Sequence, residues 1–201
     1  MRSKGAITLV VLVLVLGAVG CGATQSYNSL VRSDEQVQTA WANLQAQYQR
    51  RADLIPNLVE TVQGAADFEQ ETLQAVTEAR AKATSVQISP EELDDPQQLQ
   101  QFQQVQSELG RSLGRLLAVS ENYPQLQATQ SFRDLQAQLE GTENRITVSR
   151  RDYNNAVQQY NTQVRTFPTV LFANLMGFSP RTPFEAETGA DQAPEVNFGD
   201  E

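Results

Sequence analysis

The chain has 201 residues, 40% of them hydrophobic and 7% aromatic, and a formal net charge of -9. That length holds one core, the abundance of Gln, Ala, Leu, Val and Glu favours helices over sheet, and the acidic balance argues against a phosphate-binding surface, so no nucleic acid is expected as a partner. Histidine is absent and Cys21 is the single cysteine; Ser-His-Asp and Cys-His catalysis, His-ligated metal sites and an internal disulfide are thereby removed, and no metal or cofactor is expected.

The N-terminal stretch MRSKGAITLVVLVLVLGAVGCGA, residues 1–23, places Arg2 and Lys4 ahead of an apolar run from Ile7 to Val19, with small residues leading to Cys21. This is the layout of a membrane-targeting segment, not of a core helix. Two readings compete. In the first, AVGC (Ala18 to Cys21) resembles a lipobox and Cys21 becomes the lipidated residue after cleavage, although Ala18 stands where leucine is commoner. In the second, the uncharged stretch from Gly5 to Ala23 stays attached as a transmembrane helix, since about 20 residues cross the roughly 30 Å hydrocarbon layer. Both leave the positive residues on the cytoplasmic side and deliver the rest of the chain to the extracytoplasmic side, periplasmic or extracellular, with membrane lipid as the partner of the N-terminus.

From Tyr27 a three-four spacing runs through Leu30, Asp34, Val37, Trp41, Leu44, Tyr48, Arg51, Ile55, Leu58, Val62 and Ala65, as a helix buried along one stripe requires. Pro56 interrupts it. Proline has no N–H and its ring clashes with the carbonyl four residues back, a cost of about 3 kcal/mol in a straight helix. The favoured reading is a break, with Asp53 as the N-cap of a second helix. The alternative is one long kinked helix, supported by a seam that keeps phase across the proline.

A further helix starts near Pro90 or Pro96. Ser89 with Glu92 has the form of a capping box, and Asp95 before Pro96 repeats the idea. Its seam is Phe102, Val105, Leu109, Ser112, Leu116 and Val119, and Pro124 ends it. Gly110 and Gly114, which cost roughly 1 kcal/mol each in helix propensity, point to a close neighbouring helix. Thr129 opens the last helix, through Phe132, Leu135, Leu139, Thr142, Ile146, Tyr153, Ala156 and Tyr160, and Phe167-Pro168 closes it. No stretch alternates with period two, so the expected fold is all-α. Residues 177–201 carry prolines, glycines and acids without a period and read as an acidic disordered tail.

The motifs YNSLV (Tyr27 to Val31), AW (Ala40, Trp41), QYQRRADLIPNLVETV (Gln47 to Val62), ENYPQLQA (Glu121 to Ala128), TENRI (Thr142 to Ile146) and RRDYNNAVQQYN (Arg150 to Asn161), followed by FP at Phe167, resemble the LemA family over about Tyr27 to Phe184. The resemblance implies an antiparallel up-and-down four-helix bundle, here residues 24–176, behind an N-terminal membrane segment. It supports the break near Asp53, and it brings no established reaction and no cofactor.

Arg50, Arg51, Asp53, Glu143, Asn144, Arg150 and Asp152 are the polar residues of these motifs, with Arg151 beside them. Buried charges need partners, so the favoured reading is a network tying the last helix to the Asp53 region; the sharper one is a partner-docking surface. The function expected is a non-enzymatic interaction or scaffold module for an unidentified envelope protein. Two alternatives stand beside it. One is an oligomeric stalk. The other is a histidine-free hydrolase, for which Lys82 is the one lysine after the N-terminal segment and a carboxylate pair such as Glu143 and Asp152 is not enough. If the last helix returns toward the membrane, Thr166 to Phe178 lies near the lipid, where it either dips into the headgroups or, as favoured, folds back over the bundle's end.

Overall fold

A computed structural model describes residues 2–64 and 68–185, with the side chains at residues 2–4, 6–8, 15, 18, 19 and 21 outside the description. Among the described residues all regular structure is helical: α1 (Arg2–Gln63), α2 (Gln70–Ser85), α3 (Pro96–Ser120), α4 (Pro124–Gln127), α5 (Gln130–Arg165) and α6 (Val170–Ala173), with 3-10 turns at Pro90–Glu92 and Asn174–Met176. At 1.5 Å per residue α1 is about 93 Å long; only its second half is covered by other helices.

The course of the chain follows from cross-helix contacts. Ser29 Oγ donates to Gln163 Oε1 at 3.2 Å and Arg51 Nη1 to Glu143 Oε2 at 2.8 Å, so α5 runs antiparallel to α1. Trp41 Nε1 donates to the Ile88 carbonyl and Arg80 Nε to the Ala52 carbonyl, so the α2 segment also runs against α1, and α3 packs along α2. The core has two parts. One gathers Leu30 to Tyr48 of α1 with Leu99, Phe102 and Ile146 to Val164; the other gathers Ile55 to Val62 with α2, Leu109 to Leu116, and Leu126 to Leu139.

The expected break at Asp53 is not there. α1 passes through Pro56 without interruption and the chain turns at Gly64 instead. The carbonyl that Pro56 leaves without a helical donor is that of Ala52, and Arg80 Nε supplies the missing hydrogen bond at 2.8 Å. Asp53 is no cap: it is exposed, and its carboxylate accepts from Gln49 Nε2 one turn back, at 2.7 Å. A guanidinium from α2 thus removes much of the cost that argued for a break, and the phase-keeping seam is the reading that holds. Arg80→Ala is expected to cost about 1–3 kcal/mol by orphaning that carbonyl, and much less in a Pro56→Ala background, where residue 56 regains its N–H. Equal losses in the two backgrounds, measured by chemical denaturation, would contradict this assignment.

The caps before α3 form as the residues suggest. The Ser89 N–H donates to Glu92 Oε2 at 2.9 Å, and Asp95 accepts from the N–H groups of Gln97 and Gln98. The Ser89 N–H holds the Glu92 carboxyl below its ordinary range, and the Gln97 N–H does the same for Asp95. Carboxylates depressed in the folded state stabilise it fully above their unfolded values and lose that contribution as pH falls through the folded ones. Stability is therefore expected to decline below about pH 4, and less steeply in a Glu92→Gln/Asp95→Asn variant; identical acid profiles in thermal melts would count against this source.

Three further expectations change. The buried seam of α3 runs through Leu99, Phe102, Gln106, Leu109, Leu113, Leu116 and Ser120, so Gln106 takes the place assigned to Val105. Gly114 has no atom within 4 Å of an added Cβ, and at Gly110 the nearest is Arg51 Nη1 at 3.8 Å, so the glycines do not mark a close helix approach. Residues 178–185, assigned to the disordered tail, lie as a strap against α5. Asn161 and Asn154 each donate to and accept from one strap residue, Arg181 and Phe184 respectively, at 2.8–3.1 Å, and Phe184 is buried. Residues 186–201 of that tail lie outside the described residues.

Candidate functional site

The two parts of the core are divided by one polar layer. On α1 it falls between Tyr48 and Ile55, on α3 between Phe102 and Leu109, and on α5 between Leu139 and Ile146. Its centre is Arg51, 2% exposed. The guanidinium donates from Nη1 to Glu143 Oε2 at 2.8 Å, and from Nη2 to Gln106 Oε1 at 2.8 Å and to the Gln106 carbonyl at 3.0 Å. Gln106 Nε2 passes the chain on to the Ala83 carbonyl at the end of α2, at 3.2 Å. Arg51 and Gln106 together therefore join all four long helices. The Arg51 carbon Cζ stands 5.3 Å from the Tyr48 ring centre, and its Nε has no hydrogen-bond partner among the described residues. Burying a guanidinium requires such partners, and the carboxylate and amide oxygens provide them.

A second arginine closes the layer toward α5. Arg150 Nε donates to the Tyr48 hydroxyl at 2.7 Å, and its guanidinium lies over the Tyr48 and Phe184 rings. Of the seven polar residues singled out from the sequence, the structure brings Arg51, Glu143 and Arg150 together. Arg50, Asn144 and Asp152 are exposed, as is Asp53, whose carboxylate accepts from Gln49. Gln106 and Tyr48 complete the network. Gln106 was hidden because Val105 satisfies the same spacing. Its signal was a long amide four residues after Phe102 and three before Leu109, within the apolar stripe. Cys21 lies on the backbone of α1, its side chain outside the description.

Beside this layer α3 and α5 leave a cleft of about 390 Å³, lined by Arg51, Gly110, Gly114, Leu117, Leu139 and Glu143 among others. Burial raises the Tyr48 hydroxyl above its ordinary value against the opposing pull of Arg150; burial likewise raises Tyr153 and Tyr160. None of these can act as a base near neutrality. Lys82 is exposed and bonded to Glu108 Oε1 at 2.9 Å, which raises its value further, the reverse of what a nucleophilic or basic lysine needs. Glu143 and Asp152 sit nine residues apart on one helix, about 13 Å along its axis, and do not converge. Among the described residues no three acidic or cysteine side chains are grouped to hold a metal ion.

The family model for the LemA family matches residues 40–198. Magnetosome protein MamQ 2 of Paramagnetospirillum magneticum is 26% identical over 206 residues, covering 94% of this chain and 76% of that protein. Protein LemA of Metamycoplasma hominis is 27% identical over 162 residues, covering 79% of this chain and 68% of that protein. Magnetosome protein MamQ of Magnetospirillum gryphiswaldense is 24% identical over 206 residues, covering 94% and 76%. With a family match across most of its length, including both arginines of the polar layer, the chain belongs to the LemA family.

Proposed function

We propose that this protein is a membrane-anchored, extracytoplasmic helical bundle that serves as a non-catalytic interaction module for other envelope proteins. The observation that carries the anchor is the first third of α1. Leu9, Val10, Val11, Leu12, Val13, Leu14 and Leu16 are each 53–67% exposed. Six of them are consecutive, and at 100° per residue they present apolar surface on every side of the helix. A helix apolar all round belongs in an apolar medium. Among the described residues no helix is long and apolar enough to cross a membrane; the side chains of Ile7, Thr8, Val15, Ala18 and Val19 lie outside that description. Arg2 and Lys4 at the start favour a cytoplasmic N-terminus and an extracytoplasmic bundle.

The stem and the bundle share one unbroken helix, so the bundle is held out from the lipid as a rigid post. From Ala23 to Gln63 that post extends about 60 Å. The four long helices run up and down along it, tied by the Arg51 layer. The names of the relatives carry no enzymatic activity, and the site supplies neither a base nor a nucleophile, which favours binding over hydrolysis.

Extraction of the full chain in mild detergent, with the size and composition of the native particle measured, tests the module. An assembly containing other envelope proteins is expected. A monomer, or a homo-oligomer free of other proteins, would replace this reading with an isolated domain or a stalk. Intact mass of the extracted chain, with a Cys21→Ala control, separates a lipidated Cys21 from a retained transmembrane stem.

A further inference from the structure

We propose that the turn following α5 is a second lipid contact, in which Phe167, Leu171 and Leu175 enter the headgroup boundary beside the α1 stem; this rests on the anchor described above. Residues 166–178, TFPTVLFANLMGF, contain no charged side chain. The structure divides their apolar groups into two sets. Ala173 is buried, the Phe178 N–H closes the turn on the Ala173 carbonyl at 2.9 Å, and the Phe178 ring stands edge-on to Tyr27 with centroids 5.7 Å apart. That set folds back on the bundle, as the favoured expectation had it. The other set faces away: Phe167 is 75% exposed, Val170 41%, Leu171 62% and Leu175 86%.

What covers this second set follows from its position. Gln163 stands opposite Ser29 and Phe178 opposite Tyr27, so the turn lies at the level where α1 leaves the bundle and becomes the exposed apolar stem. From Ala23, the last residue before the polar side chains begin at Thr24, to Tyr27 is about 6 Å along the helix, which is about the depth of one headgroup layer. With the stem in lipid, the turn is carried to the headgroups by rigid continuity. Aromatic and aliphatic groups on an uncharged turn suit that boundary. A tethered second contact would also stop the post from tilting freely about the stem.

The test uses the full-length protein in phosphatidylethanolamine/phosphatidylglycerol vesicles, with an environment-sensitive fluorescent amino acid at position 171, 175, 12 or 152 in turn. Nitroxides on the lipid acyl chains, near the headgroup or deep, serve as quenchers, with iodide in the water. The expected result is loss of fluorescence at 171 and 175 with the shallow nitroxide, at 12 with the deep one, and at 152 with iodide alone. Deep quenching at 12 with iodide quenching at 171 and 175 would overturn the second contact and leave the anchor standing. Positions 171 and 175 shielded from both iodide and nitroxides would overturn it in favour of a protein cover such as a second copy. Iodide quenching at 12 would remove the anchor itself and this inference with it.

Discussion

Trp41→Ala is expected to lower the unfolding free energy by about 3–5 kcal/mol, with Trp41→Phe losing much less. Trp41 is 0% exposed, and it touches every layer of the upper core. Its ring stands 5.3 Å from Phe102 of α3, 5.6 Å from Tyr153 of α5 and 6.0 Å from Phe184 of the strap. Its Nε1–H donates to the Ile88 carbonyl at 3.3 Å, an oxygen that Gln45 Nε2 also reaches at 3.0 Å. Because Gln45 still satisfies that oxygen in the variant, the loss comes from the cavity and the lost ring contacts rather than from an orphaned carbonyl. Guanidinium denaturation of the detergent-solubilised chain measures it. A loss below about 1 kcal/mol would mean that the upper core is not packed as described.

The second large effect lies at Arg51. Arg51→Met removes the donor shared by Glu143 and Gln106 and leaves the Gln106 amide oxygen buried and unpaired; the expected cost is about 1–3 kcal/mol. Glu143→Ala should cost less, because the Glu143 side chain is 52% exposed and water replaces part of what the arginine loses. The informative comparison is the pair. Gln106→Leu alone takes the amide oxygen from the guanidinium, which keeps only Glu143 and the residue-106 main-chain carbonyl, whereas Arg51→Met with Gln106→Leu fills the layer with apolar groups and should recover much of either single loss. Losses that simply add would show that the two residues do not form one unit. The layer also sits at one height in all four helices, so sliding a helix by a turn would set apolar groups such as Phe102, Leu109, Leu139 or Ile146 against the guanidinium. Arg51 is therefore expected to fix axial register as well as stability.

The helices themselves were legible because each buries one stripe. The buried residues of α1 from Leu30 to Val62 and of α5 from Phe132 to Val164 follow the three-four spacing almost residue for residue. What the sequence could not disclose were partners distant along the chain. Pro56 argued for a break, and only Arg80, on another helix, shows where the Ala52 carbonyl finds its donor. The strap was read as disordered from its composition, yet it is held by Asn154 and Asn161, whose amides mimic the paired N–H and C=O of a neighbouring strand. The candidate site was half visible: Arg51, Glu143 and Arg150 stand in the motifs, while Gln106 shares its place on the helix with a valine that fits the pattern equally well.

The anchor is tested most directly by alkaline carbonate extraction of membranes from cells producing the full chain, beside a variant lacking residues 2–23. If the exposed apolar face of α1 is buried in lipid, the full chain stays with the carbonate-washed membrane and the shortened one is released. Release of the full chain into the wash would contradict the account.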